Sequence, residues 1–245
     1  LFLYFLILGN VTANNYCKKE LLMCGRFNIT DNPMVHALLD ELGIDIGSLP
    51  ARYNIAPTEP VLTFYHYENR YHAHEMRWWL TPSWSDGPSQ KYAMFNARSE
   101  TILSSRAYKG PFQYHRAIVP ASSFIEWQRK DGQKQPYEIK PVEGCLFFAA
   151  VWDHWTNGDA ELYSCSIVTT AAVESFKAIH NRQPVMLNIE QAQEWLDAKS
   201  EISALKKLML PNLPSALEVV QINAAVGNAR NKQPPQYLSA IKIIH

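Results

Sequence analysis

The spacing of apolar residues changes several times along the chain, and each change marks an element. Asp31-Asn32-Pro33 precedes Val35, Leu38, Leu39 and Leu42, with Gly43 just beyond. Apolar residues three or four apart, behind a capping residue and ahead of a glycine, predict an amphipathic helix. Residues 61–67 alternate, then pass through Glu68-Asn69-Arg70 into Tyr71-His72-Ala73-His74-Glu75-Met76-Arg77-Trp78-Trp79, which predicts a hairpin with His72 and His74 on one strand face. Residues 82–90 are a loop rich in Pro, Ser and Gly that carries Trp84. Residues 118–127 read as two short strands about a turn at Pro120. Asp131-Gly132 and Asn157-Gly158 are strong hairpin turns, the second joining 147–155 to 161–170. Val173, Phe176 and Ile179 form a short helical stripe that ends at His180. Asn188 with Gln191 makes a capping box for a helix carrying Trp195 and Leu196, and another helix covers 202–210. The hairpins dominate and predict a mainly antiparallel sheet.

Residues 1–22 stand apart from this pattern. Their apolar run at 1–9 is too short to span a bilayer and lacks the positive flank of a secretory signal, although Val11-Thr12-Ala13 would pass as a cleavage site. The stretch reads as an attachment outside the mature domain; a genuine signal peptide would instead leave Asn14 at the new end. The remainder, 23–240, is long and apolar enough for one domain. Lysine plus arginine equals aspartate plus glutamate, 23 each, so a polyanion must be met by a local patch and not by a global field. The cysteines Cys17, Cys24, Cys145 and Cys165 have no C-x-x-C spacing, which gives neither a zinc site nor a disulfide framework and suits a reducing compartment.

Several residues carry a chemical reading beside a structural one. Cys24 follows Met23; at an N-terminus it would hold a thiol and an α-amine on adjacent carbons, both partly reactive near neutrality. An aldehyde meeting that pair can close a five-membered thiazolidine. An internal cysteine cannot do this, and as such it is an ordinary buried side chain. His72 and His74 could supply half a metal site, but no matching carboxylate or cysteine motif accompanies them, which favours a surface strand. Glu126 lies between Ile125 and Trp127. It is either on an exposed strand face, the reading its pattern alone favours, or desolvated and suited to general acid work. His180 at a helix end is by itself a cap or a satisfied core residue.

Taken together, the motifs Met23-Cys24-Gly25-Arg26-Phe27, Arg52-Tyr53-Asn54-Ile55-Ala56-Pro57, Asn96-Ala97-Arg98-Ser99-Glu100-Thr101, Ser123-Phe124-Ile125-Glu126-Trp127, His180-Asn181-Arg182-Gln183-Pro184 and Val226-Gly227-Asn228 resemble the SRAP family, the SOS-response-associated peptidase domain. The resemblance runs from Met23 to about Leu238. It implies an α+β single domain with a barrel-like antiparallel core and flanking helices. It also implies a protein that shields abasic sites in single-stranded DNA by covalent attachment, with no metal or cofactor. Carried over by motif, Cys24 is the nucleophile, Asn96 holds the cysteine and the sugar, and Glu126 and His180 transfer protons. Arg26, Arg52, Asn54, Pro57, Arg98, Arg106 and Arg182 are then expected at the DNA, with Trp78, Trp79 and Trp84 offering faces to unstacked bases and one of the three serving the core. The implied setting is cytoplasmic, at the nucleoid of a bacterium or in a eukaryotic nucleus, and the implied state is a monomer. Cys24 has twenty-three residues ahead of it, so its chemistry requires a start at Met23 or cleavage just before Cys24. The alternatives are a self-processing cysteine peptidase that exposes Cys24, or a noncatalytic single-strand-binding module.

Overall fold

The computed structural model describes residues 25–245; the extension 1–22, Met23 and Cys24 lie outside the described residues. In chain order the strands are β1 (Phe27–Ile29), β2 (Arg52–Ile55), β3 (Pro60–Tyr67), β4 (Arg70–Arg77), β5 (Asn96–Arg98), β6 (Arg116–Ala121), β7 (Ser123–Lys130), β8 (Gln133–Pro141), β9 (Leu146–Asn157), β10 (Ala160–Ala171), β11 (Arg182–Pro184), β12 (Met186–Leu187), β13 (Leu217–Gln221) and β14 (Lys242–Ile244). The helices are α1 (Pro33–Leu42), α2 (Lys109–Tyr114), α3 (Ile189–Leu196) and α4 (Ile202–Leu208).

Two sheets make the core. Strands β10, β4, β3, β6 and β9 pair in a closed circuit, because β10 also pairs with β9, and β5, β11 and β12 add to its rim. The second sheet runs β14-β13-β8-β7-β1-β2. The barrel seam between β4 and β10 is a parallel contact at Ser164 and Arg77, whereas the other circuit pairings are antiparallel. The hairpin turns follow from backbone handedness. Glu68 and Asn69 both take positive φ, as do Asp131 and Gly132, the geometry that matches the twist of the flanking strands. Helix α1 opens on Asn32, whose side chain accepts from the Met34 amide, and closes on left-handed Gly43. Helix α3 carries the full capping box of Asn188 and Gln191, and buries Trp195, whose indole N–H donates to the Ala117 and Ala150 carbonyls of the barrel.

Three local expectations change. Pro120 is not a turn: it lies within β6 opposite Phe147, and the chain leaves the barrel for the second sheet at Ser122. Strand β3 pairs with β6 only at Ile118 and Ala117, so near Pro120 the missing N–H has no ladder to interrupt on that side. Residues 173–179 make a single 3₁₀ turn, Glu174–Phe176, instead of a helix, because the chain folds straight back from β10 to β11. There the Ala172 amide donates to Asn181 O and the Val173 amide to Gln183 Oε1. Helix α4 also stops at Leu208, short of 210.

The strand that follows Cys24 in the sequence is short. β1 spans three residues, all buried, and is flanked by β2 and β7. Beneath it lies a polar node. Asn28 Nδ2 donates to Ser123 Oγ at 2.8 Å and to Glu138 Oε1 at 2.9 Å, while Asn28 Oδ1 accepts from the Asn54 amide at 2.7 Å. Ser123 Oγ donates to the same Glu138 oxygen at 2.6 Å. A buried polar group stripped of its partner costs its full desolvation. Asn28→Ala should therefore lower stability by about 2–4 kcal/mol in urea unfolding, well beyond Ser122→Ala, whose hydroxyl bonds only Thr30 outside the node.

Candidate active site

Gly25 is the first described residue and follows Cys24 directly in the sequence. A Cβ built on Gly25 would lie 3.8 Å from Pro57 Cγ and 3.9 Å from Phe95 Cε2. The register of β1 against β7 pairs Phe27 with Phe124 and Asn28 with Ser123, and the Ile125 amide donates to Arg26 O at 2.9 Å. The same register carried two positions further sets Gly25 opposite Glu126.

Glu126 is buried, 2 % exposed, which corrects the exposed-face reading. The reason is tertiary: the strand face that would meet solvent in an isolated hairpin is covered by the segment leading to β11. That segment brings His180, 6 % exposed, so that Nε2 stands 3.9 Å from Glu126 Oε1. This is too long for a hydrogen bond, but an oxygen lying to one side could reach both groups at about 2.8 Å. The Arg182 amide donates to His180 Nδ1 at 3.2 Å, which fixes the neutral tautomer with its proton on Nε2, toward Glu126. Burial pushes the His180 pKa down, and the Arg129 and Arg182 cations push it further the same way.

Asn96 opens β5, which pairs in parallel with β10 and so hangs beside the barrel rim. Phe95, just before it, is pinned by its carbonyl, which accepts from the Trp78 indole at 2.8 Å and the Ile167 amide at 3.0 Å. The Tyr108 hydroxyl donates to Asn96 O at 3.2 Å. Asn96 is thus held beside Phe95, which touches Gly25, while Glu126 and His180 approach from the β7 side. Strands distant in sequence converge on one end of β1.

The arginines and tryptophans separate into classes. Trp78 is fully buried, so it presents no face to a base and is the core member of its set. Asn54 is 1 % exposed with its amide turned inward, and it is withdrawn as a DNA contact for the same reason. Arg52 reaches Glu75 and the Pro60 carbonyl. Arg182 forms a two-pronged pair with Glu100 at 2.7 and 3.0 Å and also donates to Thr169. Arg26 donates to Gly25 O and lies 6.0 Å from the Trp127 ring. Arg98 and Arg106 are exposed, and Arg106 sits 3.9 Å over the ring of Trp84, itself 52 % exposed. Trp79 is half-buried and tilted against Phe95, and Pro57 is half-buried beside Gly25. His72 stacks on Tyr65, and His74 lies against Tyr163. Sequence reasoning gave no site role to Phe95 or Trp127. Both adjoin assigned residues, Asn96 and Glu126, and that adjacency was the available signal.

The fold and site define a class: a single-domain α+β protein built on a closed five-strand barrel, with a buried carboxylate–imidazole pair facing the start of its first strand. Residues 23–229 match the family described as SOS response associated peptidase (SRAP), and the chain belongs to that family. Its relatives include YoaM of Bacillus subtilis, 35 % identical over 217 residues that cover 85 % of this chain and 95 % of that one. YedK of Escherichia coli is 31 % identical over 218 residues, covering 86 % and 96 % respectively. Chicken HMCES is 33 % identical over 186 residues, covering 65 % of this chain and 55 % of its own. All three are named abasic site processing proteins. A crystal structure of a phage-related protein from Bordetella bronchiseptica superposes with a TM-score of 0.60 at 27 % identity, covering 76 % of this chain and 87 % of that one. One of a protein from Bacteroides thetaiotaomicron gives 0.68 at 21 %, covering 82 % and 93 %, a likeness of fold.

The depressed His180 pKa has a stability consequence. Because the folded value lies below the ordinary 6.5, the unfolded chain binds the proton more readily. The stabilisation from burying the neutral ring is therefore complete above about pH 6.5 and is lost as pH falls through the folded pKa. Urea unfolding of His180→Gln should show a shallower loss of stability on acidification across that window than the parent protein.

Proposed function

We propose that the protein shields abasic sites in single-stranded DNA by a covalent bond through Cys24. The observation that carries this reading is the buried Glu126–His180 pair opposite Gly25, in a chain whose relatives are named abasic site processing proteins. The reaction requires Cys24 at the N-terminus, so the mature protein begins there.

The abasic deoxyribose in its open form presents an aldehyde. The Cys24 amine adds to the aldehyde carbon, forming a C–N bond and a carbinolamine. Glu126 delivers a proton to the departing hydroxyl, and one water leaves to give an imine. The Cys24 thiolate then forms a C–S bond to the same carbon while the imine nitrogen takes a proton. The balance is one aldehyde plus one aminothiol giving one thiazolidine and one water. Opening the closed sugar needs a proton at the ring oxygen and a base for the anomeric hydroxyl. His180 in its imidazolium form donates from Nε2 to the departing ring oxygen and returns to the neutral ring, while the Glu126 carboxylate takes the hydroxyl proton that it later delivers to the carbinolamine. Asn96 orients the sugar and the cysteine with its side-chain amide.

The DNA contacts follow from the separation of the cations. The exposed Arg106–Trp84 pair is the platform, where a base stacks on the indole and a phosphate meets the guanidinium, and the exposed Arg98 at the end of β5 is a separate phosphate contact. Trp79 and Pro57 line the approach to Gly25. Arg52 and Arg182 already hold carboxylates, so they serve by fixing the site's frame unless a phosphate displaces Glu75 or Glu100. In a chain with equal numbers of acidic and basic residues, few phosphates are neutralised and the salt slope of binding is shallow.

Intact-mass measurement of the protein expressed from its own gene, followed by incubation with an abasic single-stranded oligonucleotide, tests the reading. The expected result is a mass starting at Cys24 and a heat-stable adduct that disappears with Cys24→Ala. A mass that retains residues ahead of Cys24, with no adduct, would reduce the protein to a noncatalytic binding module.

On the same substrate, Glu126→Gln should slow adduct formation by about 10²-fold or more. His180→Ala should slow it only when the sugar must open, leaving DNA affinity within twofold. Trp84→Ala should weaken binding by about 1–3 kcal/mol, read by fluorescence anisotropy with an undamaged strand.

A further inference from the structure

Asn54, withdrawn above as a DNA contact, sits in an unusual knot. Its backbone is left-handed, with φ of 51°, a conformation that Asn tolerates better than other residues bearing a side chain. Its side-chain NH₂ stands within hydrogen-bond distance of three carbonyls of the C-terminal segment, Val226 at 3.0 Å, Asn228 at 2.9 Å and Asn231 at 2.9 Å, so one of its two protons is shared between two of them. Three acceptors around one NH₂ also fix the orientation of the amide, because the flipped form would point an oxygen at three oxygens. The Asn54 amide N–H donates to Asn28 in the node under β1. Its carbonyl accepts from Lys232 Nζ at 2.9 Å, and the same ammonium pairs with Glu59 Oε1 at 2.5 Å. That carboxylate in turn accepts from the Ala56 amide at 3.2 Å, directly before Pro57.

The segment clamped in this way packs against the back of strand β7. Val226 belongs to a small cluster with Ile125, Val220 and Ile222, against which Trp127 packs. Ile125 and Trp127 flank Glu126 in β7, so they face the side of the strand opposite its carboxylate, and the clamped segment backs that strand. One residue thus joins the floor under β1, the turn at Pro57, and the backing of the strand that carries Glu126.

We propose that Asn54 is a positioning residue for the crosslinking reaction, holding residues 226–232 so that the Pro57 turn and the Glu126 strand keep their spacing around the chain's N-terminal cysteine. This rests on the proposed abasic-site reaction for its activity readout. Asn54 touches neither substrate nor reacting atoms. Its loss acts on the rate at which bound DNA reacts and leaves the affinity for DNA unchanged.

The test compares the mature protein with Asn54→Gly, which keeps the backbone conformation while deleting the clamp, and with Asn54→Asp, which keeps the shape but faces three carbonyls with an anion. Single-turnover crosslinking to an abasic oligonucleotide should show the maximal rate falling at least tenfold in both, with the half-saturating DNA concentration within twofold of the parent. Amide hydrogen exchange should speed up over residues 225–231 and at 26–28. A raised half-saturating concentration at unchanged maximal rate would make Asn54 a binding residue. An unchanged rate with a lower Tm would make it merely structural. Either result overturns the proposal. If the parent protein itself forms no adduct, the reading of function fails, and exchange then decides alone: acceleration confined to 225–231, without 26–28, overturns the link between the clamp and the nucleophile's strand, and acceleration in both supports it.

Discussion

The proposed reaction needs its terminal cysteine held still, and the strand that follows Cys24 is only three residues long. Strand β1 has few ladder bonds of its own, so its position depends on being flanked on both edges and on the Asn28 node beneath it. That node is a buried carboxylate, Glu138, accepting from Asn28 and Ser123 on two neighbouring strands. Such a network is costly if any member is missing and rigid when all are present. The short strand therefore gains from side chains the fixity that a longer strand would draw from its backbone. It sets Gly25 close to Pro57 and Phe95, in line with the register that leads toward Glu126 on β7.

The second constraint is desolvation. Glu126 and His180 are both nearly sealed, 3.9 Å apart, and neither is exposed enough to be tuned mainly by water. Burial and two nearby cations keep the imidazole neutral, and the backbone of Arg182 selects its tautomer. Arg182 is itself held by Glu100 and Thr169, so the tautomer depends on the same residues that align β5 with β10 and β11. Proton-transfer geometry and sheet geometry are thus one problem in this molecule. The exposed cations Arg98 and Arg106 lie outside that sealed zone, where salt and water can screen them. Under the proposed function, this separates recognition of a strand from chemistry on a sugar.

Much of the architecture was legible in local sequence because local physics determines it. The caps of α1 and α3, the Glu68-Asn69 and Asp131-Gly132 turns and the long β9–β10 hairpin all follow from residues within a few positions of one another. Where local signals misled, a distant partner was responsible. Pro120 resembles a turn until β9 pairs across it, and the apolar stripe at Val173, Phe176 and Ile179 resembles a helix until Gln183 pulls the chain back. Trp78 and Trp79 are adjacent in sequence, yet one is sealed and the other half-open, because successive residues point to opposite sides of an extended chain.

The sequence by itself determined the family motifs, the residue types at the site, the hairpins and the charge balance, since each is written in residue identity or short spacing. Only the tertiary structure decided that Glu126 is buried, that His180 faces it, that Arg52 and Arg182 hold carboxylates, and that Asn54 turns inward to three carbonyls. Those are facts about which surfaces meet. Glu126 and His180 are 54 positions apart, and Asn54 and Asn228 are 174. No spacing rule spans such distances; the closed sheets do, by bringing β7, β10 and the C-terminal segment to one end of β1.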